Sequence, residues 1–256
     1  MKHIIQKISA VVLGGLALTA PVRAATIDWG LGAQNISSVN DVGTSGTLVN
    51  AFNLGSAGVA ATTVNGVTFA PLAFPANYTA FTVTSGNYNF TENVGLLVSY
   101  STLGSSALPY SSLAPEYQSL LSSGGSADQA LTLTLTMSGL TVGADYLFQC
   151  WVNNAGFINS VNGQPFSTTA TAGSSVFIDD NTSNANGGVG RFATGIFTAD
   201  SAQQTIDFNG ASFNDPLINA FQLRLAAPVP EPSTWALFGI SALALGFKFH
   251  SRKLIA

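Results

Sequence analysis

Charge is what this chain lacks most. Only 8% of its 256 residues are Asp, Glu, Lys or Arg, with 8 basic and 12 acidic side chains in all. Six of the basic residues lie near the ends: Lys2, Lys7, Arg23, Lys248, Arg252 and Lys253. Between residues 25 and 227 there is no lysine, and Arg191 and Arg224 face eleven acids, a net charge of −9. Such a segment cannot neutralise a phosphate backbone, so nucleic acid is excluded as a partner. Both histidines, His3 and His250, also lie near the ends. Without histidine the middle of the chain has no Ser-His-Asp or Cys-His machinery and lacks the commonest transition-metal ligand. Cys150 is the sole cysteine, so no internal disulfide can form. Its apolar strand neighbours mark it as a buried structural thiol rather than a nucleophile.

Low charge does not make the chain disordered, because 46% of it is apolar. The two ends read as addresses. Lys2, His3 and Lys7 precede an apolar run from Ile8 to Ala20, and Val22-Arg23-Ala24 offers small residues at the positions a signal peptidase inspects. This predicts a secretory signal peptide over residues 1–24, cleaved after Ala24 or Ala25. At the other end, Val229-Pro230-Glu231-Pro232-Ser233-Thr234-Trp235 leads into an uncharged run to Phe247, followed by Lys248, Arg252 and Lys253. As a helix, that run covers roughly 20 Å of a ~30 Å hydrocarbon core. Snorkelling of Lys248 brings it close to a full span, and the basic residues place the tail in the cytoplasm.

The order of Pro-Glu-Pro, apolar helix and basic stop resembles the PEP-CTERM sorting signal of Gram-negative bacteria. The resemblance covers residues 228–256. It implies recognition by an exosortase, cleavage near the tripeptide, an inner-membrane intermediate, and a destination in the cell envelope, on the outer surface or in the extracellular matrix.

The span 25–227 is expected to be a single domain. Short runs of β-formers separated by Gly, Asn, Ser and Pro predict about nine strands. Leu131 to Met137 alternates leucine or methionine with threonine, and Tyr146 to Val152 puts Tyr146, Phe148, Cys150 and Val152 on one face and Leu147, Gln149, Trp151 and Asn153 on the other. Other strands are expected at 64–69 (around the turn dipeptide Asn65-Gly66), 78–84, 94–100, 175–178, 191–198, 204–208 and 219–225. One short helix is expected from Ala114 to Leu121, with Pro115 at its start, Glu116 in its first turn and Gly124-Gly125 ending it. The fold class is therefore all-β, a two-sheet β-sandwich of jelly-roll type with one short helix. The block from Leu131 to Asn153 and the later Asn219-Ala220-Phe221-Gln222-Leu223-Arg224 resemble secreted bacterial β-sandwiches related to galactose-binding-like and malectin-like carbohydrate-binding modules.

Two places carry candidate ligand chemistry. Gln149, Trp151 and Asn153 share a strand face whose composition suits sugar binding, with Arg191 as a nearby cation; a tryptophan-bearing strand face is more commonly core. Asp179-Asp180 opens a loop rich in hard oxygen donors, which suits a structural Ca²⁺ ion. A solvated turn capped by its own Asx side chains is the plainer account of that loop. Arg224, in mid-strand, reads as a structural ion-pair partner. No catalytic residue is assigned, and the chain is not expected to be an enzyme. The resulting expectation is an exported, exosortase-sorted module associated with extracellular polysaccharide. The alternatives are a purely structural surface protein and a carboxylate-based glycan hydrolase or lyase.

Overall fold

A computed structural model describes residues 24–227, apart from 77–79, 93–95, 129–131, 157–159, 162–163, 166 and 211–214. The chain opens with β1 (Ala33–Asn35), a 3-10 turn (Val39–Asp41), β2 (Thr47–Gly55), β3 (Thr62–Val64), β4 (Val67–Ala73), β5 (Thr82–Ser85), β6 (Tyr88–Thr91) and β7 (Leu96–Tyr100). A second 3-10 turn (Tyr110–Ser112) leads into α1 (Pro115–Leu121), then β8 (Gly124–Asp128), β9 (Thr132–Ser138) and β10 (Asp145–Val152). There follow β11 (Ser160–Val161), β12 (Gln164–Pro165), β13 (Ser167–Ala172), β14 (Ser174–Asp179), β15 (Arg191–Thr198), β16 (Gln203–Gly210), β17 (Leu217–Ile218) and β18 (Ala220–Leu225). The all-β expectation with one short helix holds. No helix among the described residues is long and apolar enough to cross a membrane; the expected signal peptide and the C-terminal helix lie outside them.

Two large sheets enclose the main core. The seven-stranded sheet runs β1-β15-β10-β18-β2-β4-β3, and the six-stranded sheet runs β14-β13-β16-β9-β6-β5. Pairing is antiparallel except between β2 and β4, which run parallel because the β3–β4 hairpin returns the chain beside β2. That hairpin turns on Asn65 and Gly66, both at positive φ (48° and 75°), as a two-residue type I′ loop requires. The alternation read in β9 is present: Leu133, Leu135 and Met137 are buried, and Thr132, Thr134 and Thr136 lie on the opposite face.

Phe221 centres the core. Its ring lies 5.3 Å from Phe52, 5.5 Å from Tyr88, 5.8 Å from Phe90 and 5.9 Å from Phe148, so it joins both sheets through aromatic contacts. The N-terminal segment closes an edge of the sandwich. Ile27 donates its N–H to Ala172 O, Asp28 bridges Ile196, and the Trp29 indole donates to Ser174 O. A second core lies on the other side of the seven-stranded sheet, where α1 presents Tyr117, Leu120 and Leu121 to Trp151, Phe69, Val64 and Val67.

Two expectations change here. Gly124 and Gly125 do not end the helix but begin β8. A Cβ on Gly125 would lie 2.7 Å from the Phe74 ring, so this strand needs glycine to admit an aromatic side chain. Among the described residues, eighteen strands replace about nine. The largest omission, β2, is buried on both faces over Ala51 to Gly55, so it shows no period of two.

Phe221→Ala should lower the unfolding free energy by about 3–5 kcal/mol, read by chemical denaturation, because it removes a ring from the centre of a closed core. Phe177→Ala, on an exposed strand position, should change it by less than about 0.5 kcal/mol.

Candidate functional site

The outer face of the seven-stranded sheet carries the residues singled out on β10. Pairing aligns Thr194, Gln149, Gln222 and Ala51 in one row, and Phe192, Trp151, Ala220 and Asn53 in the next. None of Gln149, Trp151 and Asn153 reaches solvent. Gln149 Oε1 accepts from Gly43 N at 3.0 Å and from Gln222 Nε2 at 2.6 Å, while its Nε2 donates to Asp41 O at 2.7 Å. The Trp151 indole N–H donates to Tyr117 Oη at 3.0 Å, and that hydroxyl donates to Asp41 Oδ2 at 3.2 Å. Asn153 Oδ1 accepts from Gly190 N, and its Nδ2 lies 3.3 Å from Leu121 O. Of the two readings of this face, core is the one the geometry supports. The helix and the 37–46 segment cover it, and its amides hold these covering segments.

Arg224 is also buried in this layer, and its partners differ from expectation. Among the described residues it meets no carboxylate: Nε donates to Ser45 O at 2.7 Å, Nη2 to Thr44 O and Gly46 O, and Nη1 to Gln222 Oε1. Burial lowers its pKa, but carbonyl dipoles around the guanidinium satisfy its donors. Cys150 lies on the opposite face, within the main core, where burial pushes the thiol up to about 12. It holds no thiolate at neutral pH, consistent with a structural role.

The acidic pair at the end of β14 splits. Asp179 lies on the outer side and meets Arg191, whose Nε is 3.1 Å from Asp179 Oδ2. That nitrogen is enclosed and makes no directed hydrogen bond, so the contact is an ion pair off the N–H axis. Asp180, one residue on, turns inward and is 5% exposed. Burial first, and then the charge of Asp179, push its pKa up to about 8. The loop beyond it is closed by its own polar groups. Asn181 Nδ2 donates to Asn154 O and Ala185 O, and Ser183 Oγ donates to Asn181 Oδ1. The two carboxylates thus have different surroundings, Asp179 against Arg191 and Asp180 in the interior. Among the described residues no group of three or more His, Cys, Asp or Glu side chains is placed to hold a metal ion.

What is exposed beside Asp179 was not singled out in the sequence. Phe177, 50% exposed, stands on the same side of β14 two residues earlier, while its neighbours Val176 and Ile178 point into the core. The signal was present: β14 has a period of two, and two buried aliphatics place the residue between them outside. Phe177 pairs with Thr169, which continues to Asn209 and Thr132 across the six-stranded sheet. The next row is Ser175, Thr171, Asp207, Thr134, Thr91 and Thr82. This face carries mainly hydroxyl and amide groups, ordered by contacts such as Thr134 Oγ1 to Asp207 Oδ1 and Thr132 Oγ1 to Asn209 Oδ1, both 2.7 Å.

Position along the strands relates these features to the C-terminal segment. β18 runs from Ala220, beside Trp151 and the loops clamped by Asn153 and Asn219, to Leu225, beside Tyr146; Ala226 N then bonds Asp145 O. Val229, Pro230, Glu231, Pro232, Ser233, Thr234, Trp235, Lys248, Arg252 and Lys253 lie outside the described residues. Arg191 pairs with Val152, at the opposite end of β10 from Asp145. The Phe177–Asp179–Arg191 patch therefore lies toward the end of the domain away from the C-terminal exit.

Asp180 gives a pH prediction. Its native pKa is raised, so between about pH 4 and about pH 8 the folded state holds a proton that the unfolded state has released. Its contribution to stability is full below that window and is lost as pH rises through it. The unfolding free energy should fall between about pH 5 and pH 8, with a slope from this group of at most about 1.4 kcal/mol per pH unit. Asp180→Asn should flatten that slope in pH-dependent thermal unfolding; an unchanged slope would locate the proton elsewhere.

Residues 228–253 match the family model of the PEP-CTERM protein-sorting motif. No curated protein matches the sequence. Among solved structures, the extracellular domain of ANXUR1 from Arabidopsis thaliana aligns at 12% identity and TM-score 0.41, over 72% of this chain and 51% of that one. The ANX2 ectodomain from the same plant aligns at 14% identity and TM-score 0.25, over 72% and 53%. The chain thus spans about half the length of either ectodomain.

Proposed function

We propose that this chain, which carries a PEP-CTERM protein-sorting motif at residues 228–253, is an exported protein whose C-terminal segment is read by an exosortase and whose β-domain is a non-catalytic module associated with extracellular polysaccharide. The observation that carries the sorting half is the motif match at residues 228–253. In this reading a signal peptidase removes residues 1–24, and the helix after Trp235 holds the protein in the inner membrane. Cleavage near Pro230-Glu231-Pro232 then sends a jelly-roll-like domain to the cell envelope, outer surface or matrix of a Gram-negative bacterium.

Chemistry supports a module without catalysis. The domain has no histidine or lysine, its cysteine is buried and protonated, and Glu116 sits in the first turn of α1, where a negative charge complements the helix dipole. A purely structural surface protein is the second reading. It is favoured by the burial of Trp29, Trp151, Tyr88, Tyr110, Tyr117 and Tyr146, which removes most flat rings from the surface.

Replacing Pro230, Glu231 and Pro232 with alanine in the producing cell tests the sorting. The wild-type protein should appear as a shortened form in the envelope or matrix fraction, and the variant as a full-length, membrane-retained form. Equal processing of both on an immunoblot would refute exosortase recognition of this motif.

A further inference from the structure

The geometry points to a saccharide-binding site at Phe177, Asp179 and Arg191, with Thr169 and Asn209 beside it, for a neutral, hydroxyl-rich polysaccharide. This rests on the polysaccharide-associated reading above and supplies its site.

Five observations meet at this place. Phe177 offers an exposed ring on an otherwise hydroxyl-lined sheet face, and a sugar ring packs its C–H face on such an aromatic surface. Asp179 stands two residues further along the same side of β14, within reach of a saccharide seated on that ring. It is paired with Arg191, so an acceptor and a donor lie side by side, the arrangement that adjacent hydroxyls of a sugar require. The Arg191 side chain is 33% exposed while its Nε is enclosed, which leaves the exposure on the rest of the side chain. Thr169 and Asn209 extend the polar row inward from Phe177, so a chain lying along this row meets hydroxyl and amide groups across several strands.

Charge selects the class. Arg191 is the exposed one of the two cations between residues 25 and 227, since Arg224 is enclosed by carbonyls, and it is already balanced by Asp179. A net charge of −9 repels a polyuronate or a sulfated glycan and leaves a neutral polymer unopposed. Trp151, the aromatic residue suggested by sequence, cannot serve, because it is sealed beneath α1.

The test is co-sedimentation of the full-length protein in detergent micelles with insoluble β-1,4-glucan, β-1,3-glucan and galactan, and with calcium-gelled polygalacturonate as the acidic arm. The expected result is binding to at least one neutral polymer. Phe177→Ala and Arg191→Met should each weaken that binding at least tenfold while a cooperative thermal transition is retained, and Phe177→Trp should restore it. Wild-type binding that persists undiminished in Phe177→Ala and Arg191→Met would overturn this site while leaving the polysaccharide reading intact. Binding to polygalacturonate alone would overturn the neutral class. No binding to any polymer would overturn both the site and the reading on which it rests.

Discussion

The structure depends on buried amide side chains that bond main-chain groups. A chain with so few charges cannot fasten its loops by ion pairs, and it uses asparagine and glutamine instead. Asn219 shows the economy of this. Its Oδ1 accepts the Asn153 N–H, and its Nδ2 reaches the carbonyls of Leu121, Ser123 and Asn153. One enclosed side chain thus joins the end of α1, the start of β8 and the end of β10. Such a group would be costly to bury alone, and Asn219 stabilises the fold because both its oxygen and its nitrogen are bonded.

The same device recurs along the outer face of the seven-stranded sheet. Gln149 and Gln222 face each other across β10 and β18 and hold Asp41 and Gly43, while Arg224 holds Thr44, Ser45 and Gly46. The 37–46 segment is therefore laid against the sheet by backbone groups of five residues, Asp41 and Gly43 to Gly46. Its acid, Asp41, is fixed in turn by Ser37, Ser38 and the Tyr117 hydroxyl. Polar residues that sequence composition associates with ligand contact are here consumed by the architecture.

This division gives the two broad surfaces different roles. The helix side of the seven-stranded sheet is closed, and its aromatics are packed. The outer side of the six-stranded sheet is open, with threonine hydroxyls in cross-strand register and Phe177 near its edge. The C-terminal exit at Leu225 and Ala226 lies at the far end from the Asp179–Arg191 pair. A domain tethered through its C-terminal segment would therefore present that pair away from the tether.

Sequence alone determined the local features. Alternation fixed β9 and the two faces of β10, the Asn65-Gly66 dipeptide fixed a hairpin, and Pro115 with the spacing of Tyr117, Leu120 and Leu121 fixed α1, because each signal is carried by neighbouring residues. The Pro-Glu-Pro tail was legible for the same reason. Tertiary structure decided the rest. A tryptophan among polar residues reads identically whether a helix covers it or solvent does, so only the position of α1 settled Trp151. Gly124 and Gly125 read as a helix stop until the Phe74 ring packed against the strand they begin. Asp179 and Asp180 read as a pair until the end of β14 sent one to Arg191 and the other into the interior. Phe177 became a surface feature only when β14 was placed with Val176 and Ile178 facing the core. What covers a face, and which side of a strand that face is, depends on contacts distant in sequence, and no local pattern encodes them.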